Sequence, residues 1–405
     1  MTKKIMSQVF EADGNTMGAA GAVHAKVEVV ALFPITPCTQ VGEKVGDHIK
    51  RKELDAECIR TDGEDSAGAM CTGASLGGAR VFNATSSQGL LYMAQNLYCW
   101  AGSRCPVVLL VATRAINAPV NIHDDFSDVM SQRDAGQLMF FAKNPQEVYD
   151  FTLLGYKIAE DLRVQLPFWV CYNGFKVSHT TTINKILSSD GVKVYRSWLG
   201  DYNRPQSLLD FARPIVAGEL VLPDHYIETK FAQHHGMRES PKVINDATKY
   251  FSKRFWNVHS DVEEFMVDDA EYVAICLGSD FGTLKVAVRQ LRAQGAKVGA
   301  IRIVSYRPFP VKKLKKLLKG KKAVAVLDQA LSSGAPSAPL GSDVKSALYN
   351  SGLNVPVRGF IYGLGGRTLE PDEVMQVYES LKHPKKWMSE SEPCWINVRG
   401  GSDKI

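Results

Sequence analysis

Apolar residues in the first half of the chain fall in short continuous runs. The stretches 27–37 (VEVVALFPITP), 79–87 (ARVFNATSS), 106–114 (PVVLLVATR) and 166–174 (LPFWVCYNG) have strand length and end in polar or proline-bounded loops. Between them lie segments with helical character. The stretch 64–79 (EDSAGAMCTGASLGGA) is nearly all small residues, as close packing on a sheet requires. The stretch 89–102 (GLLYMAQNLYCWAG) is a second helix, and 144–163 (NPQEVYDFTLLGYKIAEDLR) is amphipathic with Asn144 as its N-cap. Continuous apolar strands alternating with helices predict an α/β fold whose parallel sheet is covered on both faces.

The periodicity dissolves from 195 to 241, where Pro205, Pro214, Pro223 and Pro241 punctuate scattered charges; this reads as an irregular excursion. A helix at 242–265 leads into a second unit with a plain βαβαβ pattern. Its strands are 271–279, 297–305 and 322–329, and its helices 282–295 (closed by Gly295) and 311–320. Two units follow, 1–245 and 246–405.

Composition narrows the class. The chain has 405 residues, 45% hydrophobic and 22% charged, which suits folded domains and not a disordered chain. A net charge of +5 is too mild to argue for nucleic acid. The eight cysteines include no C-x-x-C pair, so no zinc ribbon or iron–sulfur run can be drawn. Sparse, irregular cysteines read as reduced thiols of a cytoplasmic protein. The N-terminal sequence lacks a signal-peptide pattern, and no apolar run approaches the ~20 residues of a membrane span.

Several features invite a chemical reading. The run 312–322 (KKLKKLLKGKK) reads as a solvated helix face, because Leu314, Leu317 and Leu318 make an apolar stripe. Gly278 and Gly282 stand at a strand end but fit no phosphate-binding fingerprint, which removes a nicotinamide-type Rossmann reading. His123, Asp124, Asp125 and Asp128 (HDDFSD) resemble a metal cluster, yet a polar loop whose acids cap turns explains them better; Asp128 can cap a helix beginning at 129. Three segments place polar groups where apolar strands end. Thr36 stands in FPITPCTQ (33–40), a loop stiffened by two prolines. Glu64 opens the small-residue helix, as a ligand-binding acid or as a simple N-terminal charge. Arg114 ends a buried strand, either to take a carboxylate bidentately or to make a structural ion pair.

In this order, FPITP, GEDSAGA, SSQGLLYM, Arg114 before NAPVNIHDDFSDVM, and LPFWVCYNGFKVSH (166–179) resemble the alpha-type subunit of the thiamine-diphosphate-dependent 2-oxoacid:ferredoxin oxidoreductases. RIVSYRPFP (302–310) and GFIYGLGGR (359–367) extend the likeness into the second unit. The resemblance implies a pyrimidine-type thiamine-diphosphate domain followed by a smaller transketolase C-terminal-like domain. It implies that Glu64 is the catalytic acid on the ring nitrogen of the cofactor's aminopyrimidine. There a buried carboxyl favours the imino tautomer, whose nitrogen takes the proton from the thiazolium carbon. It further implies that Pro34, Ser87 and Gln88 join Glu64 in holding the cofactor, and that Thr36 and Arg114 hold the substrate carboxylate.

The family's Gly-Asp-Gly diphosphate and magnesium motif is missing; Asp62-Gly63 belongs to T-D-G in another place. The resemblance therefore implies a beta-type subunit carrying magnesium and the diphosphate end, a gamma-type subunit, and a ferredoxin-like subunit carrying the iron–sulfur clusters that this chain lacks. No metal site, nucleic-acid partner or membrane insertion is expected of the chain itself. The implied activity is coenzyme A-dependent oxidative decarboxylation of a 2-oxo acid to acyl-CoA and carbon dioxide. Phe33 replaces the family's more typical Tyr, and Cys38 and Thr39 follow the loop. Pyruvate is the default substrate and an aryl acid such as phenylglyoxylate the contender, ahead of branched-chain acids or 2-oxoglutarate. A non-catalytic scaffold with a degenerate thiamine-type fold is the alternative, but it has no need of Glu64, Thr36 and Arg114 together.

Overall fold

The structure is a computed structural model and describes residues 6–202, 204–205, 207–258, 260–349, 351–388 and 393–400. A seven-stranded sheet organises the first unit. In spatial order its strands are Ser305–Arg307, Leu138–Ala142, Phe168–Asn173, Val108–Thr113, Val81–Thr85, Val29–Leu32 and Glu57–Arg60. All neighbours run parallel except Ser305–Arg307, which pairs antiparallel with Leu138–Ala142. Every residue of the four strands from Val81–Thr85 to Phe168–Asn173 is buried, because helices cover both faces. One cover is Gly14–His24, a helix of mainly small residues capped by the Asp13 carboxylate on Thr16 N at 2.8 Å. Another is Pro145–Ala159, where Asn144 caps Glu147 N at 3.0 Å as its sequence position implies.

The chain runs from Val29–Leu32 outward to Glu57–Arg60, then crosses to Val81–Thr85 on the other side. The order reverses at this point, which in an open parallel sheet is where loops part and leave a ligand crevice at the strands' C-terminal ends.

The second unit holds a six-stranded sheet in the order Cys394–Trp395, Val357–Ile361, Ala323–Asp328, Tyr272–Cys276, Val298–Ile303 and Val262–Phe265, parallel except for the last strand. The two units are stitched together. Ser305–Arg307 lies in sequence between two strands of the second sheet, Val298–Ile303 and Ala323–Asp328, but belongs to the first. Arg302, fully buried, donates to Glu147 at 2.7 Å and to Glu263 at 2.8 Å, one carboxylate from each unit.

The stretch 195–241 corrects the sequence reading. Residues 195–199 complete the helix Ser189–Leu199, and a helix of 32 residues, Pro223–Arg254, begins well before 242 and ends well before 265. Pro223 occupies the first helical turn, where a missing N–H costs nothing. Pro241 lies inside the helix. It cannot donate to the Met237 carbonyl, and the Ser240 hydroxyl does so instead at 2.8 Å. This helix also runs across position 245, where the two units were expected to divide.

The lysine-rich helix is Val311–Leu318, with Leu314 and Leu318 buried. Two charges of the run are paired locally: Lys313 with Glu264 at 2.8 Å and, just beyond the helix, Lys322 with Glu271 at 2.6 Å. Among the described residues no helix is long and apolar enough to cross a membrane.

Candidate active site

The loops that follow four parallel strands converge at the switch point. The segment after Val29–Leu32 carries Pro34 and Thr36, both exposed; that after Glu57–Arg60 carries Glu64; that after Val81–Thr85 carries Ser87 and Gln88; that after Val108–Thr113 carries Arg114. Glu64 is the first residue of the helix Glu64–Leu76, where the aligned backbone N–H groups favour a carboxylate. Only 8% of Glu64 is exposed, yet its carboxyl makes no hydrogen bond or ion pair among the described residues. It caps no backbone group, so at the helix start it acts only as a favourable N-terminal charge, and its oxygens stay free for a ligand. Gly89 leaves room for it: a Cβ there would stand 2.6 Å from both Glu64 Oε1 and Thr85 Oγ1.

Around this carboxyl lie polar atoms without partners. Thr85 Oγ1 and Gln88 Nε2 are buried and make no hydrogen bond, and Ser86 Oγ beside them has only the weak Cys38 thiol. Buried polar groups are nearly always satisfied, so a cluster of orphans beside an unpaired acid marks a place built for a ligand. Cys38 is buried in the same wall, and burial pushes its thiol up to about 12, leaving it a neutral, unreactive lining.

Arg114 spans the crevice. Its Nη1 donates to the Thr36 carbonyl at 3.0 Å and its Nε to the Asn121 carbonyl at 3.2 Å. No carboxylate pairs with it among the described residues, so its charge is held in place and left unneutralised. Asp128 ties this arginine to the serine segment. It is completely buried, and its Oδ2 accepts from Ser87 N at 2.9 Å and Arg114 N at 3.0 Å. Ser87 takes a left-handed backbone conformation (φ 47°), and its hydroxyl donates to the Ala115 carbonyl at 2.5 Å. Burial pushes the Asp128 carboxyl up to about 7. Asp128 is not the N-cap expected of it: the helix Ser127–Ser131 begins one residue before it and Asp128 lies inside its first turn. It does accept from Val129 N at 2.7 Å, but its second oxygen does the larger job of joining two strand ends.

The neighbouring acids do not form a metal site. Asp124 accepts from Asn173 at 2.8 Å and from Gln329 at 2.9 Å, and Asp125 accepts from Gly365 N at 3.1 Å. Among the described residues no group of three or more His, Cys, Asp or Glu side chains is placed to hold an ion. Gly278 has a packing explanation: its φ is 61°, and a Cβ there would meet Asn173 Oδ1 at 2.6 Å. Asn121 and Gly365 were missed in the sequence, where nothing local marks them.

Residues 20–249 match the family model described as pyruvate flavodoxin/ferredoxin oxidoreductase, thiamine diphosphate-binding, and residues 270–374 match pyruvate:ferredoxin oxidoreductase core domain II. The chain belongs to the alpha-type subunits of the 2-oxoacid:ferredoxin oxidoreductases. It is 39% identical over 388 residues to the pyruvate synthase subunit PorA of Pyrococcus furiosus, covering 95% of this chain and 96% of that one. It is equally 39% identical over 381 residues to the ketoisovalerate oxidoreductase subunit VorA of Pyrococcus abyssi, covering 94% and 93%. In structure it is similar to a 2-oxoglutarate:ferredoxin oxidoreductase from Magnetococcus marinus, with TM-score 0.70 at 18% identity over 92% of this chain and 65% of that one. A split-gene transketolase matches with TM-score 0.52 at 12% identity over 90% and 97%. These last two likenesses speak to the fold: a thiamine-diphosphate-type domain followed by a transketolase-like C-terminal domain, as the sequence resemblance implied.

For a 2-oxoacid:ferredoxin oxidoreductase the crevice has a specific test, whether it fits thiamine diphosphate. An aminopyrimidine carries ring nitrogens and an exocyclic amine, which complement an unpaired carboxyl and neighbouring orphaned polar groups. The residues around Glu64 fit that half of the cofactor. The described residues offer no comparable set for a diphosphate and its magnesium.

Proposed function

We propose that this chain is the alpha subunit of a heteromeric enzyme that oxidatively decarboxylates a 2-oxo acid with coenzyme A, giving acyl-CoA and carbon dioxide. The observation that supports the reading is that Glu64 and Arg114, neither with an ion-pair partner among the described residues, stand on loops at one switch point, linked by the segment Thr85–Gly89, which approaches Glu64 at Gly89 and shares Asp128 with Arg114 through Ser87 N. Glu64 is the catalytic residue. It hydrogen-bonds the pyrimidine ring nitrogen and exchanges the proton that sets the ring's tautomer. Pro34, Ser87 and Gln88 line the same cofactor wall. Arg114 presents its unoccupied N–H face, and Thr36 its hydroxyl, to the substrate carboxylate; a planar fork and a small donor suit that group. Thiamine diphosphate, when bound, supplies a nucleophilic carbon and an electron sink for the decarboxylation.

The sequence carries no Gly-Asp-Gly motif, so the diphosphate end and its magnesium are assigned in this reading to a beta-type subunit that completes the active site. Electrons leave through iron–sulfur clusters on a ferredoxin-like subunit, and a gamma-type subunit completes the complex. The working division of the chain is 1–245 for the thiamine-diphosphate domain and 246–405 for the second domain. Pyruvate is the first substrate to test, with phenylglyoxylate as the aryl candidate. Equal identity to pyruvate and ketoisovalerate relatives adds a branched-chain acid to the panel.

The test is to purify the native complex, identify its subunits by mass, and assay dye reduction with a panel of 2-oxo acids plus coenzyme A. Dye reduction dependent on both a 2-oxo acid and thiamine diphosphate supports the reading. An assembled complex that binds no thiamine diphosphate would instead make the chain a scaffold.

A further inference from the structure

The second unit grips the loop that holds Arg114. Residues 116–122 form an arch after the strand Val108–Thr113. Its base is closed by Ala115 N on the His123 carbonyl at 3.0 Å. On the crevice side, Asn121 accepts the Arg114 Nε hydrogen bond through its carbonyl. On the far side, Asn121 Nδ2 donates to the Gly365 carbonyl at 3.0 Å, and Gly365 N donates back to Asp125 at 3.1 Å. One residue therefore touches the arginine with its backbone and the second unit with its side chain.

The receiving turn is built for close approach. Gly363, Gly365 and Gly366 all have positive φ (66°, 64° and 87°). A Cβ at Gly365 would stand 2.3 Å from Asn121 Nδ2, and one at Gly366 would stand 2.5 Å from His123 Cβ. Only glycine meets both the backbone and the space requirement. Gln329 fixes the turn from within the second sheet, donating to Gly363 O at 3.2 Å and to Asp124 at 2.9 Å. Asn121 Oδ1 is also occupied, accepting from His123 N at 2.8 Å. The Asn121 side chain thus has one orientation, and its main-chain carbonyl is aimed with it.

We infer that Asn121, fastened to the Gly363–Gly366 turn, is a positioning residue that sets the direction of the Arg114 guanidinium, so that the second unit tunes 2-oxo acid binding. The inference rests on the reading of Arg114 as the carboxylate-binding residue. Arginine held by two carbonyls, Thr36 and Asn121, keeps its remaining N–H groups pointed at one place; losing one carbonyl frees the side chain to swing. The effect belongs to the anionic end of the 2-oxo acid and not to coenzyme A.

The experiment uses the assembled complex carrying Asn121→Ala, Arg114→Lys, or both. Asn121→Ala is expected to raise the KM for the 2-oxo acid about two- to tenfold, the effect of one misdirected hydrogen-bonding group, with the KM for coenzyme A unchanged and kcat nearly so. In the Arg114→Lys background the same substitution should add nothing, because the contact it maintains is gone. Where Asn121→Ala weakens assembly, Asn121→Ser keeps a side-chain acceptor for His123 N, withdraws the donor from Gly365 without adding charge, and should give the same split. Equal rises in both KM values, or an undiminished effect of Asn121→Ala beside Arg114→Lys, would overturn the inference while leaving the role of Arg114 intact. An unchanged KM in Arg114→Lys alone would overturn the substrate-site reading, and the inference with it.

Discussion

Arg114 Nη1 donates to the carbonyl oxygen of Thr36 at 3.0 Å, joining the ends of two strands that are not neighbours. The strand Val81–Thr85 lies between them, so the arginine reaches over about two strand spacings, roughly 10 Å, and roofs the crevice. Its fork is held by carbonyls and not by a carboxylate, which leaves the charge for a ligand. Arg114→Lys in the assembled complex should raise the KM for the 2-oxo acid and lower kcat/KM by about 1–3 kcal/mol of transition-state binding, since an ammonium cannot reproduce a bidentate, directed contact. Steady-state kinetics against the preferred 2-oxo acid check this; an unchanged profile removes Arg114 from the substrate site.

Glu64 is nearly buried and its carboxyl has no hydrogen-bond or ion-pair partner among the described residues, so the proposed role asks nothing of it in the stability of the fold. Glu64→Gln should therefore leave the thermal stability of the chain unchanged or slightly higher. A fall of several degrees in Tm would show that the carboxyl has a structural partner.

Much of this was legible in the chain itself, and the parts that were not share a cause. The strands Val108–Thr113 and Phe168–Asn173 announce themselves because both faces are buried and the sequence is apolar without a break. Pro145–Ala159 announces itself through its cap and stripe. The 32-residue helix Pro223–Arg254 was hidden because its prolines argue locally for a break, while Ser240 and packing against the first unit overrule them. Glu64, Thr36 and Arg114 were each ambiguous alone and gained meaning only as an ordered set of motifs. The Asp128 bridge and the Asn121 clasp were invisible because their partners lie far along the chain: Ser87 is 41 residues from Asp128, and Gly365 is 244 residues from Asn121. Local patterning carries no trace of such pairings.

The union of the two units rests on Arg302, which is fully buried and donates to Glu147, Glu263 and the Phe141 carbonyl. Arg302→Leu leaves Glu147 and Glu263 with Lys143 as their remaining cation, and should destabilise the chain by about 3 kcal/mol, the low end for a broken buried pair. Chemical denaturation reads the loss directly. A cost below 1 kcal/mol would show that the two units cohere without it.

Acid should act on the same cluster. Burial pushes the Glu263 carboxyl up, but Arg302 and Lys143 outweigh it and hold the group down at about 2, below its ordinary value of 4.5. A carboxyl depressed in the folded state contributes stability above pH 4.5 that is lost as pH falls towards 2. Glu263→Gln should flatten the fall of stability between pH 4.5 and 2 and leave the slope between pH 6 and 8 unchanged. Denaturation midpoints across both ranges check the sign, and an unaltered acid limb would contradict it.

The central claim is that this chain supplies the catalytic acid of a shared thiamine-diphosphate site. Its most direct test is 2-oxo-acid-dependent reduction of a dye by the purified complex carrying Glu64→Ala, compared with the unaltered complex at equal subunit composition. The account predicts a loss of about 10²- to 10⁴-fold in rate with the subunits still assembled. Full electron transfer without the Glu64 carboxyl would contradict it.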